Sequence, residues 1–377
     1  MRDHSSTVPA PAGRGGAEEP VITSGDVSGA AAGERTDLKF PAHPAGSGSG
    51  RPALALAAEV PLTAEEAGYV AAARAANTLR GYRSDWADFT TWCTTRDLTP
   101  LPAGPAALTG YLTDLAGRGH AVGTLSRRLS AIRFAHQLAD HPDPAAGARV
   151  SAVWEGIRRT HGAPPEQAAP LMPPDLFDVV AACPDQRHFR TRPPEPDLAG
   201  LRDRALLLVG FFAALRRSEL AALAVDHVSE HPRGLVLELP RSKTNQTGTV
   251  AELVVLPRAS RPERCPVTAL HAWLDAAAIT TGPVLRKVTK ANRPADRGLH
   301  PESVNVLVQN AIARARIGGG PWSAHSLRAG FVTYAHLRGA SDRAIAHQTR
   351  HRSLASVGVY VRIHQAWEDN AATMLGL

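Results

Sequence analysis

A chain of 377 residues is long enough for two domains with buried cores. It holds 42 Lys and Arg against 35 Asp and Glu, a net charge of +7; residues 1–57 carry −1, so the remainder carries +8, which suits a polyanionic partner. Three scattered cysteines, Cys93, Cys183 and Cys265, with no C-x-x-C pair, exclude a disulfide framework and a zinc site of ordinary spacing, and read as reduced buried thiols. No apolar run of about 18 residues offers a membrane span, and no charged-then-apolar leader opens the chain. The expectation is a soluble, cytoplasmic protein.

The first 57 residues are rich in Gly, Ala, Pro and Ser without periodicity, and end near the run Ala45-Gly-Ser-Gly-Ser-Gly50. Too little apolar surface is available there to offset the entropy of ordering, so disorder is expected. A helical pattern starts near residue 62, where Thr63 precedes Glu65 and Glu66 in a first turn. Asn77 is placed to cap the next helix, with Tyr82, Trp86, Phe89 and Trp92 at spacings of three and four. That aromatic stripe reads as core rather than as a base-stacking platform. Pro105 opens a helix with Leu108, Tyr111, Leu112 and Leu115. Thr124 opens another, with Leu125, Leu129, Ile132 and Phe134 inward and Arg127, Arg128 and Arg133 outward. A last helix spans about Val150 to Arg159. Residues 58–160 therefore read as a small all-α domain.

Gly162, Pro164, Pro165, Pro170 and Pro173 mark residues 161–173 as a linker. The second domain, 174–377, opens with helices, including a strongly apolar one from Leu201 to Leu215. Two strands follow, Leu235–Leu239 and Thr249–Leu256, joined by a turn at Asn245–Gly248. Helices then return near 267–277, 301–316, 325–338, 341–348 and 354–363. The fold class is mainly α with a small antiparallel sheet.

Four motifs in this second domain carry chemistry jointly, though each is weak alone. In Ala214-Leu-Arg-Arg-Ser-Glu-Leu220 an arginine stands at a helix amino terminus, where both features favour a phosphate, and Glu219 can fold back to hold it. In Arg241-Ser-Lys-Thr-Asn245 a lysine sits on the hairpin and can give a proton to a leaving oxygen. In His325-Ser-Leu-Arg328 an imidazole and a guanidinium share a helix face. In His351-Arg-Ser-Leu-Ala-Ser-Val-Gly-Val-Tyr360 a histidine precedes a helix, and a tyrosine lies near its end. Phosphodiester cleavage needs a nucleophile, neutralisation of the pentavalent phosphate and a proton for the departing 5′ oxygen. Tyr360 can attack, Arg216 and Arg328 can grip the two non-bridging oxygens, and Lys243 can protonate the leaving group. His325 and His351 can take the phenol proton or donate hydrogen bonds to the phosphate. No cofactor is called for.

The ordered set Leu-Arg-x-Ser-Glu, Ser-Lys-Thr, His-x-x-Arg and His-x-Ser-(six residues)-Tyr resembles the tyrosine recombinase (phage integrase) family over about residues 62–377. The resemblance implies a helical core-binding (SAM-like) domain at 58–160 and a mixed α/β tyrosine-recombinase catalytic domain at 174–377, closing as a clamp on double-stranded DNA. It implies Tyr360 as nucleophile through a 3′-phosphotyrosyl intermediate, Arg216 and Arg328 as clamp, His325 and His351 assisting, and Lys243 as general acid. Arg216 is preferred to Arg217 because it stands three residues before Glu219. It further implies a homotetramer on synapsed sites, exchanging a carboxy-terminal helix built on Trp367, Ala371, Ala372, Met374, Leu375 and Leu377. Arg80, Arg83, Arg127, Arg128, Arg133 and Arg158 are expected to meet the DNA backbone, and the protein to be nucleoid-associated when bound. Arg350 departs from the family pattern, which commonly has glycine before the second histidine. The alternative from another class is an inactive DNA-binding protein that keeps the fold.

Overall fold

The computed structural model describes residues 76–164, 166–239 and 252–351, together with Glu65 and Arg74. The helix expected from residue 62, the hairpin turn, Lys243, the helix expected at 354–363, Tyr360 and the carboxy-terminal tail therefore lie outside the described residues, as does the segment 1–57. The chain divides after Leu62 into two units, and every described residue belongs to the second, Thr63–Leu377. Within that unit the apolar side chains gather into two separate major cores, and the protein is mainly α-helical.

The first core lies among α1 (Ala76–Thr94), α2 (Pro105–Gly117), α3 (Val122–Leu138) and α4 (Ala148–His161). Pro105 takes the first helical position of α2, where its missing N–H costs nothing. Asn77 lies inside α1, one residue after its start, and its side chain accepts from Arg80 Nη1 at 2.8 Å. α3 begins at Val122, two residues before Thr124, with Ala121 in the capping position. The aromatic stripe of α1 is core: Phe89 is fully buried and Trp86 and Trp92 pack on the same cluster. His136 is also fully buried. Its Nε2 accepts from Ala103 N at 2.8 Å and its Nδ1 stands 2.8 Å from Ile132 O, and burial holds the ring below its ordinary pKa, as a neutral hydrogen-bonding group should be.

The second core is built around α6 (Leu198–Phe212), buried almost all the way round through Ala205–Val209. Around it stand α5 (Asp175–Ala181), α7 (Arg217–Ala222), α8 (Pro266–Ala276), α9 (Pro301–Arg314), α10 (His325–Leu337) and α11 (Asp342–Thr349). Trp273 of α8 is fully buried and donates from Nε1 to Val284 O at 2.8 Å. A three-stranded antiparallel sheet in the order β3 (Val228–His231), β4 (Gly234–Leu239), β5 (Glu252–Pro257) completes this core. Leu235, Leu237, Leu239, Val254 and Leu256 point inward while Leu253 and Val255 face out, the two-residue alternation of a half-buried sheet. The sequence pattern gives no sign of β3, nor of the two short ribbons β1 (Gln186–Arg187) with β2 (Glu195–Pro196) and β6 (Arg286–Val288) with β7 (Pro294–Gly298). These strands are two to five residues long and mostly charged or polar, so no alternating apolar signal announces them.

The segment read as a linker is partly absorbed by the second core. Ala169 N donates to Pro321 O and Leu171 N to Ser326 O, both at 3.0 Å, and the Leu171 side chain is fully buried. Gly330 of α10 permits this approach, because a Cβ there would lie 2.0 Å from Leu171 O. No helix among the described residues is long and apolar enough to cross a membrane.

Alanine normally favours a helix over glycine by about 1 kcal/mol, but at position 330 the clash is with backbone and cannot be relieved by a rotamer. Gly330→Ala is therefore expected to lose roughly 1–3 kcal/mol, the usual range for overpacking, in urea denaturation monitored by circular dichroism. A variant as stable as the parent would refute this account of α10.

Candidate active site

Two helix ends and one buried arginine form the site. α6 finishes in a Schellman turn: Ala214 N donates to Phe211 O at 3.0 Å and Leu215 N to Gly210 O at 3.2 Å, with Ala214 in the left-handed region at φ 47°. α11 finishes the same way. Arg350 N donates to His347 O at 3.3 Å and His351 N to Ala346 O at 3.1 Å, with Arg350 at φ 57° and ψ 42°. Neither left-handed residue is glycine, at a cost of roughly 1–2 kcal/mol each. Arg328, one turn into α10 and 1% exposed, spans the two ends: Nη1 donates to Ala214 O at 2.6 Å and Nη2 to Thr349 O at 2.5 Å. A cation is well placed there, since helix carboxy termini carry partial negative charge.

The turn after α6 delivers Arg216 to the amino terminus of α7. Glu219, three residues on and 4% exposed, folds back as the sequence suggests: Oε2 accepts from Arg216 N at 2.8 Å and Oε1 from Arg216 Nη1 at 2.7 Å. The same carboxylate accepts from Arg350 Nη2 at 2.7 Å, and Arg350 Nε lies 3.5 Å from Glu252 Oε2 at the start of β5. Burial pushes the Glu219 carboxyl upward, but the Arg350 charge and the bonds from Arg216 outweigh it and hold the group below the usual carboxylate range. Removing one partner of a buried ion pair costs roughly 3–5 kcal/mol. Stranding Glu219 would thus cost more than the backbone strain at Arg350.

His351 follows directly. Its Nδ1 lies 2.8 Å from Thr349 Oγ1, and Thr349 gives its single hydroxyl proton to Ile345 O at 2.7 Å. Thr349 must then accept from the imidazole, so Nδ1 carries the ring proton and Nε2 offers a lone pair. Burial, then the charges of Arg328, Arg216, Arg350 and His325, push the His351 pKa down to about 4. His325, the first residue of α10, is exposed, and its backbone N–H donates to Ser323 Oγ at 3.2 Å. Arg216, His325, Arg328 and His351 are thus brought together. The expected roles of Lys243 and Tyr360 fall on residues outside those described. Sequence reading missed Thr349 and Gln348; the latter donates from Nε2 to Phe212 O at 2.9 Å and Val255 O at 3.0 Å, tying α11 to α6 and β5. Neither had a sequence signal beyond its place beside His351. Arg350 did have one, an arginine where glycine is common.

The arginines of the first core divide into two sets. Arg128 is turned inward, with Nη1 donating to Tyr111 Oη at 2.7 Å and paired with Asp88. Arg127 pairs with Asp85 at 2.5 Å, Arg133 with Asp143 at 2.7 Å, and Arg80 with the Asn77 side chain. Arg83 and Arg158 are exposed. Arg128 does not face outward: its side chain is 14% exposed, drawn in by the charges of Asp85 and Asp88 and by the Tyr111 hydroxyl, while its buried Nε makes no hydrogen bond among the described residues.

A profile of the phage integrase family matches residues 191–366, a stretch that contains all six expected site residues. An integrase/recombinase xerD homolog of Selenomonas ruminantium is 34% identical over 79% of this chain and 85% of its own. The chain belongs to the phage integrase family. It is a tyrosine-type site-specific recombinase. The tyrosine recombinase XerC of Mycobacterium leprae is 26% identical over 77% of this chain and 89% of its own. Two solved structures share the integrase fold at 16% identity and a TM-score of 0.50. One is the XerH site-specific recombinase bound to a palindromic difH substrate in a post-cleavage complex, matched over 73% of each chain. The other is a lambda integrase tetramer bound to a Holliday junction, matched over 78% of this chain and 74% of that one.

The histidine geometry in this integrase is open to a direct check. The folded pKa of His351 lies below the ordinary value near 6.5. The unfolded chain thus takes up the proton first, and this group's stabilising contribution is full above about pH 6.5 and falls as pH drops toward 4. Nitrogen-15 NMR of histidine-labelled protein is expected to show the His351 ring neutral and protonated on Nδ1 at pH 6, titrating near pH 4. A midpoint of 6 or above, or an Nε2–H tautomer, would be the contrary result.

Proposed function

We propose that this recombinase cleaves and rejoins double-stranded DNA by attack of the Tyr360 phenol oxygen on a backbone phosphate. The new bond is a 3′-phosphotyrosyl ester, and the bond broken is that between phosphorus and the 5′ oxygen. That oxygen leaves as a hydroxyl after taking a proton from Lys243, while the phenol proton passes to a histidine. A 5′ hydroxyl of the partner duplex then reverses the step on a new strand. The ester keeps the free energy of the phosphodiester, so no ATP is required, and side chains fill every role without calling on a metal ion.

The observation that carries this reading is the convergence of Arg216, Arg328 and His351 on the ends of α6 and α11. Arg328 is fixed by its bonds to two backbone carbonyls, and Arg216 is oriented by Glu219 before any ligand arrives. Preorganised donors of this kind are worth about 10²–10³ in rate apiece. A neutral His351 with its Nε2 lone pair outward from Thr349 suits proton acceptance, and His325 is then left to assist at the phosphate. We assign the first core to a DNA-binding domain at 58–160 and the second to a catalytic domain from about 174. The solved relatives named above, with substrate DNA and with a Holliday junction, support this reading, as they do a tetramer; exchange of the carboxy-terminal helix between protomers is part of the proposal. On binding DNA the protein would join the nucleoid.

Incubated with a nicked suicide substrate, the parent protein is expected to form a covalent adduct that resists denaturing gel electrophoresis and survives EDTA. Tyr360→Phe should form none, and Arg216→Ala should form it about 10²–10³-fold more slowly. An adduct persisting in the Phe variant would overturn the nucleophile, and abolition by EDTA would overturn the metal-free step.

Deleting residues 366–377 is expected to leave adduct formation within about threefold while abolishing synapsis in a two-site assay, because the proposed exchange joins protomers rather than completing one site. Intact synapsis after the deletion would mean the tail docks on its own domain.

A further inference from the structure

We infer that Arg350 is a positioning residue that sets the Arg216 guanidinium through the shared carboxylate of Glu219; this rests on the reading of Arg216 as a phosphate clamp. Glu219 has two oxygens and three donors: Arg216 N, Arg216 Nη1 and Arg350 Nη2, all within 2.7–2.8 Å. Arg216 holds one oxygen through its backbone N–H and the other through the mobile end of its own side chain, so Arg216 alone gives the carboxylate one fixed anchor. The Arg350 bond to Oε2 adds a second anchor and resists rotation of the carboxylate. Arg350 is itself fixed, with a side chain 6% exposed. Nη1 donates to Gln348 O at 2.9 Å and to Ala213 O at 3.4 Å, and Nε faces Glu252 at 3.5 Å. One side chain thus links the end of α11, the end of α6, the start of β5 and the cap of α7.

Its backbone conformation points the same way. The left-handed position closing α11 suits glycine, which would meet the turn without strain. An arginine held there is accounted for by what its side chain does, since the Schellman bonds themselves need no side chain. The engagement of Arg350 with Glu219 and Glu252 makes it a support for Arg216 rather than a third phosphate ligand.

The test compares Arg350→Gly, Arg350→Lys, Arg216→Ala and the Arg216→Ala/Arg350→Gly double variant in single-turnover adduct formation on a suicide substrate, with DNA affinity and thermal melting measured alongside. Arg350→Gly suits the left-handed turn and is expected to lower the adduct rate by about a hundredfold, the scale of a misplaced clamp, with DNA affinity unchanged within about twofold. Arg350→Lys keeps a charge toward Glu219 and should recover part of that loss; it also serves if the glycine variant fails to fold. In the Arg216→Ala background the glycine substitution should add nothing. A parental adduct rate in Arg350→Gly, or in Arg350→Lys should the glycine variant not fold, would overturn the inference while leaving the clamp intact. So would an additive loss in the double variant, because Arg350 would then act elsewhere. A parental rate in Arg216→Ala would overturn the clamp reading and this inference together.

Discussion

Everything at the candidate site hangs on satisfying the carbonyls at two helix ends. An α-helix leaves its last carbonyls without intrahelical partners, and when such an end is buried those oxygens must find donors elsewhere. The ends of α6 and α11 meet, and while Gln348 and Arg350 also donate to carbonyls there, the Arg328 guanidinium bridges one carbonyl from each end. Arg328 takes Ala214 O and Thr349 O at once, so the two turns cannot drift apart without stranding either the carbonyls or a buried charge. Because Arg216 follows the first turn directly and His351 the second, the same bonds that close the helices also place the site. Architecture and chemistry share one set of contacts.

Charge balance explains the second layer of the arrangement. Arg216, Arg328 and Arg350 lie close enough to depress His351, and the carboxylates facing them include Glu219 and Glu252. Three guanidiniums in a partly dry site would repel one another strongly in low dielectric. Glu219 answers two of them at once, which is why its carboxyl stays below the ordinary range in spite of burial. His351 remains neutral because burial, and then the charges of Arg328, Arg216 and Arg350, disfavour a further cation there.

Much of the architecture could be read in the sequence because it depends on local patterns. Most of the longer helices appear within a few residues of the expected spans, since proline and glycine punctuate them and apolar spacing runs at 3.6. Both strands of the expected hairpin are present, as their leucines and valines alternate. The Arg216–Glu219 contact was legible too, because i and i+3 at a helix start can form only a few bonds. What could not be read was everything decided across distance. Arg128 looked outward on α3 by its spacing, yet the aspartates of α1 and the Tyr111 hydroxyl of α2 draw it in. Thr349, one residue from Arg350, is anonymous in sequence and fixes the tautomer of His351 only because the helix stops where it does. Leu171 stood among prolines that spelled a linker, and only Gly330 on a distant helix makes room for it.

Arg350 joins these lessons, because locally it is a poor choice. A left-handed turn disfavours a side chain, burial disfavours the guanidinium, and the family pattern offers glycine as the unstrained solution. Two unfavourable terms persist together only when a favourable one exceeds them, and the contacts show where it comes from: Glu219, Glu252 and the Gln348 carbonyl all face the same guanidinium. A buried carboxylate in contact with one arginine could be satisfied by that arginine alone. Glu219 instead meets a second cation from another helix, and the pair leaves its plane little freedom. The proposed reaction places a developing negative charge where Arg216 must already point, since a guanidinium that reorients during the step forfeits the advantage of preorganisation. A rigid counter-ion behind the clamp meets that requirement, and it explains why a strained arginine stands where glycine would have sufficed to end the helix.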